Sequence, residues 1–431
     1  MADSPLMDAS FLARLADEVG TPFLFYDAGV LRERIGVMKE LTSAPGLAAR
    51  YAMKASSGHL VLKEMQKAGV WIDAVSGNEI LRAKRAGYAM GVEPPEVLLT
   101  ADVFRDNALE VVLAEGVLPN LGSMGQIADL EAAGYQGPIG LRVNPGFGHG
   151  HVQACDTGGP SSKHGIWIDD LLSAARQAAE RGFPVALLHA HIGSGPRQEE
   201  FDENIARLSA GFGELIDHLP ELSGVSFGGG VPHSYRDPSI VPDLKPLKRT
   251  LLEAAEAFRA RAGREIRVEI EPGRFFVAPA ATLVSRVADR KSTQTNDKGS
   301  GHDFLMVDAG FVDLVRPAMY GAFHRMTVVG KELGEVRPWA VAGPLCESGD
   351  VFTRDSDELI QPRELPTPEI GDFLLIHDAG AYGAVMSSNY NSLGRAPQVW
   401  WDDGAATLMS RRETLDDIVA AECEVPLAVA G

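Results

Sequence analysis

Short apolar or β-branched runs recur along the first two thirds of the chain, at 50–54, 70–75, 96–100, 117–121, 139–144, 184–190, 224–227 and 266–270. Most of the intervals between them are rich in Ala, Leu, Glu and Arg, with apolar residues at helical spacing. Short apolar runs bounded by turns read as buried strands, and the intervals as helices. Eight strand-then-helix units predict a parallel sheet closed as a TIM-type (β/α)8 barrel, since every parallel pair needs a crossover. Ahead of them, 23–27 reads as a strand and 28–41 as a helix. Beyond Arg274 the period changes. Strand-like segments at 281–287, 304–307, 326–329, 339–342, 373–377 and 398–401, separated by turns, predict a second, mostly β domain of barrel or sandwich type, and 414–421 reads as a closing helix. The strand at 23–27 is expected to join that domain. A barrel spanning 28–275 would then be inserted between its two sequence portions, 1–27 and 276–431.

Composition narrows the partners. With 431 residues, 45% hydrophobic and 23% charged, the chain can bury a large core. A net charge of −19 argues against a nucleic-acid footprint and against an anionic membrane surface, and leaves small polar substrates open. Cys155, Cys346 and Cys423 have neither paired nor metal-like spacing, so a reducing compartment is expected. The first residues carry Asp3, Asp8 and Asp17 rather than a basic run, and no long apolar stretch follows; a cytoplasmic protein without signal peptide or membrane span is expected.

Chemistry gathers just after the runs: Lys54, Asp73 and Ser76, Thr100, Gly122-Ser123, Asn144, His189, His191 and Ser194, Gly228-Gly229-Gly230, and Glu271-Pro-Gly-Arg274. In a (β/α)8 barrel those positions share one mouth. Lys54 there is an amine able to condense with an aldehyde such as that of pyridoxal phosphate. The glycines and Ser194 suit a phosphate, Glu271 suits a protonated ring nitrogen, and one imidazole of His189 or His191 can stack on the ring. His-x-His also occurs in metal-dependent hydrolases, but only Asp73 offers a further ligand; His149 and His151 lack a third ligand as well, and no metal is expected. Later, Cys346 could donate a proton and Tyr382 could bond a phosphate.

Taken in order, Tyr-Ala-Met-Lys54, Asp73-Ala-Val-Ser-Gly-Asn-Glu79, Arg142-Val-Asn-Pro-Gly-Phe-Gly-His-Gly-His151, Ser162-Lys-His-Gly-Ile-Trp167, His189-Ala-His-Ile-Gly-Ser-Gly195, Glu271-Pro-Gly-Arg274, Arg316-Pro-Ala-Met-Tyr320, Cys346-Glu-Ser-Gly-Asp350 and Gly380-Ala-Tyr-Gly383 are highly specific together. Over nearly the whole chain the sequence resembles the diaminopimelate decarboxylases, pyridoxal-phosphate enzymes of the alanine-racemase-like fold. The resemblance implies decarboxylation of meso-2,6-diaminopimelate to L-lysine. It assigns Lys54 to carry the cofactor and His191 to stack on its ring. Asp73, Ser194, Gly230, Glu271, Gly273, Arg274 and Tyr382 would complete the cofactor site, with Glu271 at the ring nitrogen. Arg274, Arg316 and Tyr320 would bind the distal carboxylate and Glu347 the distal ammonium, with Tyr382 also near the substrate. Cys346 would protonate the reacting carbon, reaching the site with Glu347 from the neighbouring subunit of a homodimer. One departure stands out: Leu393-Gly394-Arg395 replaces the family's usual Arg-Pro after Asn389-Tyr-Asn-Ser392. Decarboxylases of the same fold acting on D-ornithine, D-lysine or carboxynorspermidine are the nearest alternative. Arg316 and Tyr320 favour a dicarboxylic substrate, because a guanidinium has no useful partner on a simple diamine tail.

Overall fold

The structure is a computed structural model that describes residues 4–148, 157–193, 198–297 and 299–425, the side chain of Gln198 excepted. It divides into two compact units, one built from 28–280 and one from the segments flanking it. The expected boundary at 275 thus moves to 280, because the short helix Arg274–Val277 stays with the barrel.

The strand Phe23–Asp27 (β1) precedes the barrel unit. Within that unit lie Leu47–Ala52 (β2), Trp71–Ala74 (β3), Val97–Ala101 (β4), Leu118–Leu121 (β5), Ile139–Asn144 (β6), Ile166–Trp167 (β7), Val185–His189 (β8), Gly224–Ser226 (β9) and Arg267–Ile270 (β10). The order β5-β4-β3-β2-β10-β9-β8-β6 is closed by a β5–β6 pairing, and every pair is parallel. That is the eight-stranded barrel expected from the spacing of the runs. The two-residue β7 lies outside the ring and lengthens the edge of β6. One detail differs at the first run. β2 ends at Ala52, and Lys54 sits beyond it on a single 3-10 turn, Met53–Ala55.

The barrel interior holds a charge that the run at 50–54 conceals. Arg50 is fully buried, paired through Nε and Nη2 with Glu269 on β10 at 2.5 and 3.2 Å. Arg267 also reaches Glu269 at 2.5 Å, and the Trp71 ring lies against both guanidinium groups. Burial pushes the Glu269 carboxyl up, but the two arginines outweigh it and hold it below its ordinary value of 4.5. Its contribution to stability is therefore complete above that value and is lost as pH falls through the lower folded value. Glu269→Ala strands Arg50 in the core and is expected to destabilise the protein by about 3–5 kcal/mol, read as a lower urea midpoint at unchanged slope. Replacing Arg50 and Glu269 together by apolar residues should lose far less, because no charge is then left unpaired.

The second unit continues with Ala281–Ser292 (β11), Asp303–Val307 (β12), Met326–Val328 (β13), Val336–Ala342 (β14), Arg363–Pro366 (β15), Phe373–Ile376 (β16), Gln398–Asp402 (β17) and Ala405–Ser410 (β18). They form a mixed sheet ordered β15-β14-β12-β11-β1-β17-β18, with β16 pairing both β11 and β13. β1 lies antiparallel to β11 and parallel to β17, so the strand ahead of the barrel does complete the sheet that follows it. The helix Ala9–Val19, capped by Asp8 accepting from the backbone N–H groups of Ser10 and Phe11, packs Leu12 and Phe11 on the Phe23, Phe25 and Val399 face of that sheet. Of the closing helix only Leu415–Ile418 forms, behind a capping box of Thr414 and Asp417. No helix among the described residues is long and apolar enough to cross a membrane.

Candidate active site

The barrel strands deliver a connected set of groups at their carboxyl ends. The Lys54 turn is fixed from below by the Tyr51 hydroxyl, which donates to the Ser56 carbonyl at 2.7 Å. Gly273 closes on it from β10: a Cβ there would lie 2.9 Å from the Ala52 carbonyl oxygen and 3.1 Å from the Ala55 Cβ. Half-buried Lys54 thus stands between the Asp73 and Glu271 strand ends, and its ammonium acts on Asp73, Glu79 and His191.

Asp73, on β3, is nearly buried, and its Oδ1 has no hydrogen-bond partner among the described residues. Burial, then the nearby Glu271 charge, pushes its carboxyl up to about 7, against the pull of Lys54 and a hydrogen bond from Thr100. Glu271 behaves oppositely. Burial raises it, but the His189 imidazole at 2.9 Å, the Ser226 hydroxyl at 2.6 Å and the more distant Arg50 outweigh that and hold the carboxylate ionised. Two carboxyls of one mouth are thereby driven apart, one toward its acid and one toward its anion.

His191 follows β8. Its Nδ1 accepts from the Gly229 N–H at 3.2 Å, and burial, followed by the charges of Lys54 and Arg142, keeps the ring neutral far below its ordinary range. The glycine triplet is needed by geometry. Gly228 has φ +67°, with a Cβ position 2.6 Å from the Ala190 carbonyl oxygen, and Gly230 has φ +127°, with one 2.8 Å from the Phe201 ring. Arg274 donates to the Tyr235 hydroxyl at 2.9 Å. Buried Arg142 on β6 faces His164 at 3.4 Å, while His164 Nδ1 lies 2.5 Å from Asp102, whose other oxygen accepts from the Gly165 N–H.

In the β-rich unit, Arg316 is buried at the start of the short helix Arg316–Tyr320. Cys346 and Glu347 are exposed on a turn tied down by Asp350, which accepts from the Leu345 and Phe311 N–H groups at 2.9 and 2.7 Å, and by Asn391, which accepts from the Cys346 N–H at 3.0 Å. Tyr382 has φ +60°. At Leu393-Gly394-Arg395, a Cβ on Gly394 would lie 2.2 Å from the Glu413 carbonyl oxygen, and Arg395 pairs with the Glu413 carboxylate at 2.9 Å. The departure from the family pattern is thus a local lock between 393–395 and Glu413.

Of the residues singled out from sequence, Lys54, Asp73, His191, Gly230, Glu271, Gly273 and Arg274 lie at the strand ends of the barrel unit. Arg316, Tyr320, Cys346, Glu347 and Tyr382 lie in the β-rich unit. Ser194, His149, His151 and Cys155 lie outside the described residues. The pairing of His189 and Ser226 with Glu271, and the roles of Arg142, Tyr235, Asn391 and Asp350, were not read from sequence; the signal for the first two was their place at the ends of β8 and β9.

The donor set in the barrel fits pyridoxal phosphate: an amine, an ionised carboxylate for a pyridinium nitrogen, a neutral imidazole face and a glycine-lined turn able to bring N–H groups close to a phosphate. A family model described as "Pyridoxal-dependent decarboxylase, pyridoxal binding domain" matches residues 30–278. The diaminopimelate decarboxylase of Escherichia coli strain K12 is 39% identical over 96% of this chain and 97% of its own length. That of Streptomyces coelicolor is 38% identical over 97% and 93%. A crystal structure of diaminopimelate decarboxylase superposes with a TM-score of 0.88 at 37% identity, covering 96% of both chains. The Helicobacter pylori enzyme complexed with L-lysine superposes with a TM-score of 0.83 at 27% identity, over 95% of this chain and 98% of that one.

Proposed function

Because the chain belongs to the pyridoxal-dependent diaminopimelate decarboxylases, we propose that it releases CO2 from the D-centre of meso-2,6-diaminopimelate and yields L-lysine, the last step of lysine biosynthesis. The observation that carries this reading is the barrel-mouth cluster in which Lys54 stands among Asp73, ionised Glu271 and neutral His191. When bound, pyridoxal phosphate supplies the sink for the electron pair left by departing CO2. Lys54 would offer the amine that holds its aldehyde, Glu271 would serve the ring nitrogen and His191 would pack on the ring. Gly230, Gly273 and Arg274, with Ser194 and Tyr382, would hold the phosphate. Burial and the Glu271 charge favour the protonated form of Asp73, which limits the negative charge beside Lys54.

For the substrate, Arg274, Arg316 and Tyr320 take the distal carboxylate through forked, charge-assisted hydrogen bonds. Glu347 takes the distal ammonium, and Tyr382 also serves the substrate. Cys346 delivers a proton from Sγ to the carbon that lost CO2. The exposure of the Cys346-Glu347 turn supports a homodimer in which these two residues serve the partner's site. Three cysteines without paired or metal-like spacing support a reducing, cytoplasmic location.

The test is release of CO2 and lysine by purified protein with pyridoxal phosphate, with meso-diaminopimelate, D-lysine and D-ornithine supplied separately at equal concentration. Diaminopimelate is expected to lead in kcat/KM by on the order of 100-fold, because unpaired guanidinium groups reject a substrate lacking the second carboxylate. A lead for either monocarboxylic substrate would overturn the assignment.

A further inference from the structure

Arg316 meets a histidine eight residues on. After the helix Arg316–Tyr320 the chain reverses at Gly321, which has φ +59° and whose Cβ would lie 2.2 Å from the Asp355 carbonyl carbon. The Ala322 N–H returns to the Arg316 carbonyl at 3.3 Å, and His324 follows just before β13, with no exposed surface. Its two ring nitrogens have different partners. Nδ1 lies 2.8 Å from the His377 carbonyl oxygen, and Nε2 lies 3.0 Å from Nη1 of Arg316. A carbonyl only accepts, so Nδ1 carries the hydrogen; a guanidinium only donates, so Nε2 presents its lone pair. Both bonds form together only in the neutral Nδ1–H tautomer.

The backbone supplies that carbonyl through sheet register. β13 and β16 pair Met326 with Ile376, and the next rung is the His377 N–H donating to the Arg325 carbonyl at 2.9 Å. The His377 side chain turns to the Thr327 hydroxyl at 2.8 Å, and burial, then Arg325, against the opposing pull of Asp378, holds its imidazole down at about 4, so it stays neutral in its own bond to Thr327 at working pH.

We infer that His324 is a positioning residue that sets the plane of the Arg316 guanidinium and thereby tunes selection for a substrate with a distal carboxylate. The inference rests on the reading that Arg316 binds that carboxylate. A forked contact with a carboxylate depends on the guanidinium plane, and anchoring one N–H on a fixed lone pair removes rotation that would otherwise be lost on binding. His324 itself need not touch the substrate.

Three replacements separate the roles of the two nitrogens. His324→Gln can place an amide oxygen where Nε2 sits and keep the acceptor for Arg316. His324→Asn keeps a donor near Nδ1, toward the His377 carbonyl, and gives Arg316 nothing. His324→Leu removes both. Leu and Asn are expected to raise KM for diaminopimelate about tenfold, the scale of a hydrogen bond to a charged group, with kcat within about threefold of wild type. Gln should recover most of the loss. In an Arg316→Ala background the same replacements should change KM by less than about twofold, since the two positions act as one unit.

Equal effects of Asn and Gln, a loss confined to kcat, or additivity with Arg316→Ala would each overturn the inference. Arg316→Ala that raises KM, alongside His324 variants that do not, would overturn it while leaving the substrate reading intact. Arg316→Ala with unchanged KM would overturn both. If the Leu variant fails to fold, as judged by its thermal transition, the Gln and Asn contrast still decides.

Discussion

Replacing Lys54 by alanine is expected to lower decarboxylation of meso-diaminopimelate by on the order of 10⁴-fold or more, with added pyridoxal phosphate unable to restore it. The effect is large because position and chemistry coincide at this residue. The turn Met53–Ala55 is held by the Tyr51 hydroxyl and by the close approach of Gly273, so the backbone that carries Lys54 is fixed at the barrel mouth. Its charge is felt by Asp73, Glu79 and His191. Lys54→Arg keeps that charge but not an amine able to condense with an aldehyde, so it should be as inactive as Lys54→Ala while restoring the local field. Rates of CO2 release and the visible absorbance of bound cofactor check both variants. A rate near wild type in Lys54→Ala would remove the foundation of the functional reading.

Much of this arrangement was legible because barrel strands are short, buried on both faces and ended by polar turns. The eight runs mark the eight ring strands to within a few residues, and the polar residues after them mark one mouth. Elements without that signature were missed. β18, Ala405–Ser410, is exposed along most of its length, so it shows no alternation to read, and the four residues of β15 include a charged pair, Arg363-Glu364. Arg50 sat inside a run read as apolar, and nothing local discloses that Glu269, 219 residues away, neutralises it. The same limit applies to function. Lys54 and Glu271 belong to recognisable motifs, whereas the bonds of Glu271 to His189 and Ser226 span 82 and 45 residues and exist only once the barrel closes. His324 was passed over for a related reason: its meaning depends on which carbonyl faces Nδ1, and β13–β16 register decides that.

Glu271→Gln is expected to lower kcat by on the order of 10²- to 10³-fold with little change in KM, because it removes one fixed charge and almost no volume. Glu271 is buried, yet His189 and Ser226 keep it ionised, holding its carboxyl down at about 2. Titration of this group therefore leaves no acid limb in the working pH range of the wild-type enzyme. A neutral amide at the same place can still hydrogen-bond to Ser226, but it cannot stabilise a protonated ring nitrogen opposite it. The substitution has a second readout, away from the ring. The Glu271 charge helps push Asp73 up to about 7, so removing it lets the Asp73 carboxyl fall, and any inflection that Asp73 contributes to the pH profile should move to lower pH. Fold-preserving Glu271→Gln with kcat within about threefold of wild type would show that the ionised carboxylate serves only the packing of His189 and Ser226. A large fall in kcat together with the acid shift ties the charge of Glu271 to both the ring nitrogen and the Asp73 carboxyl.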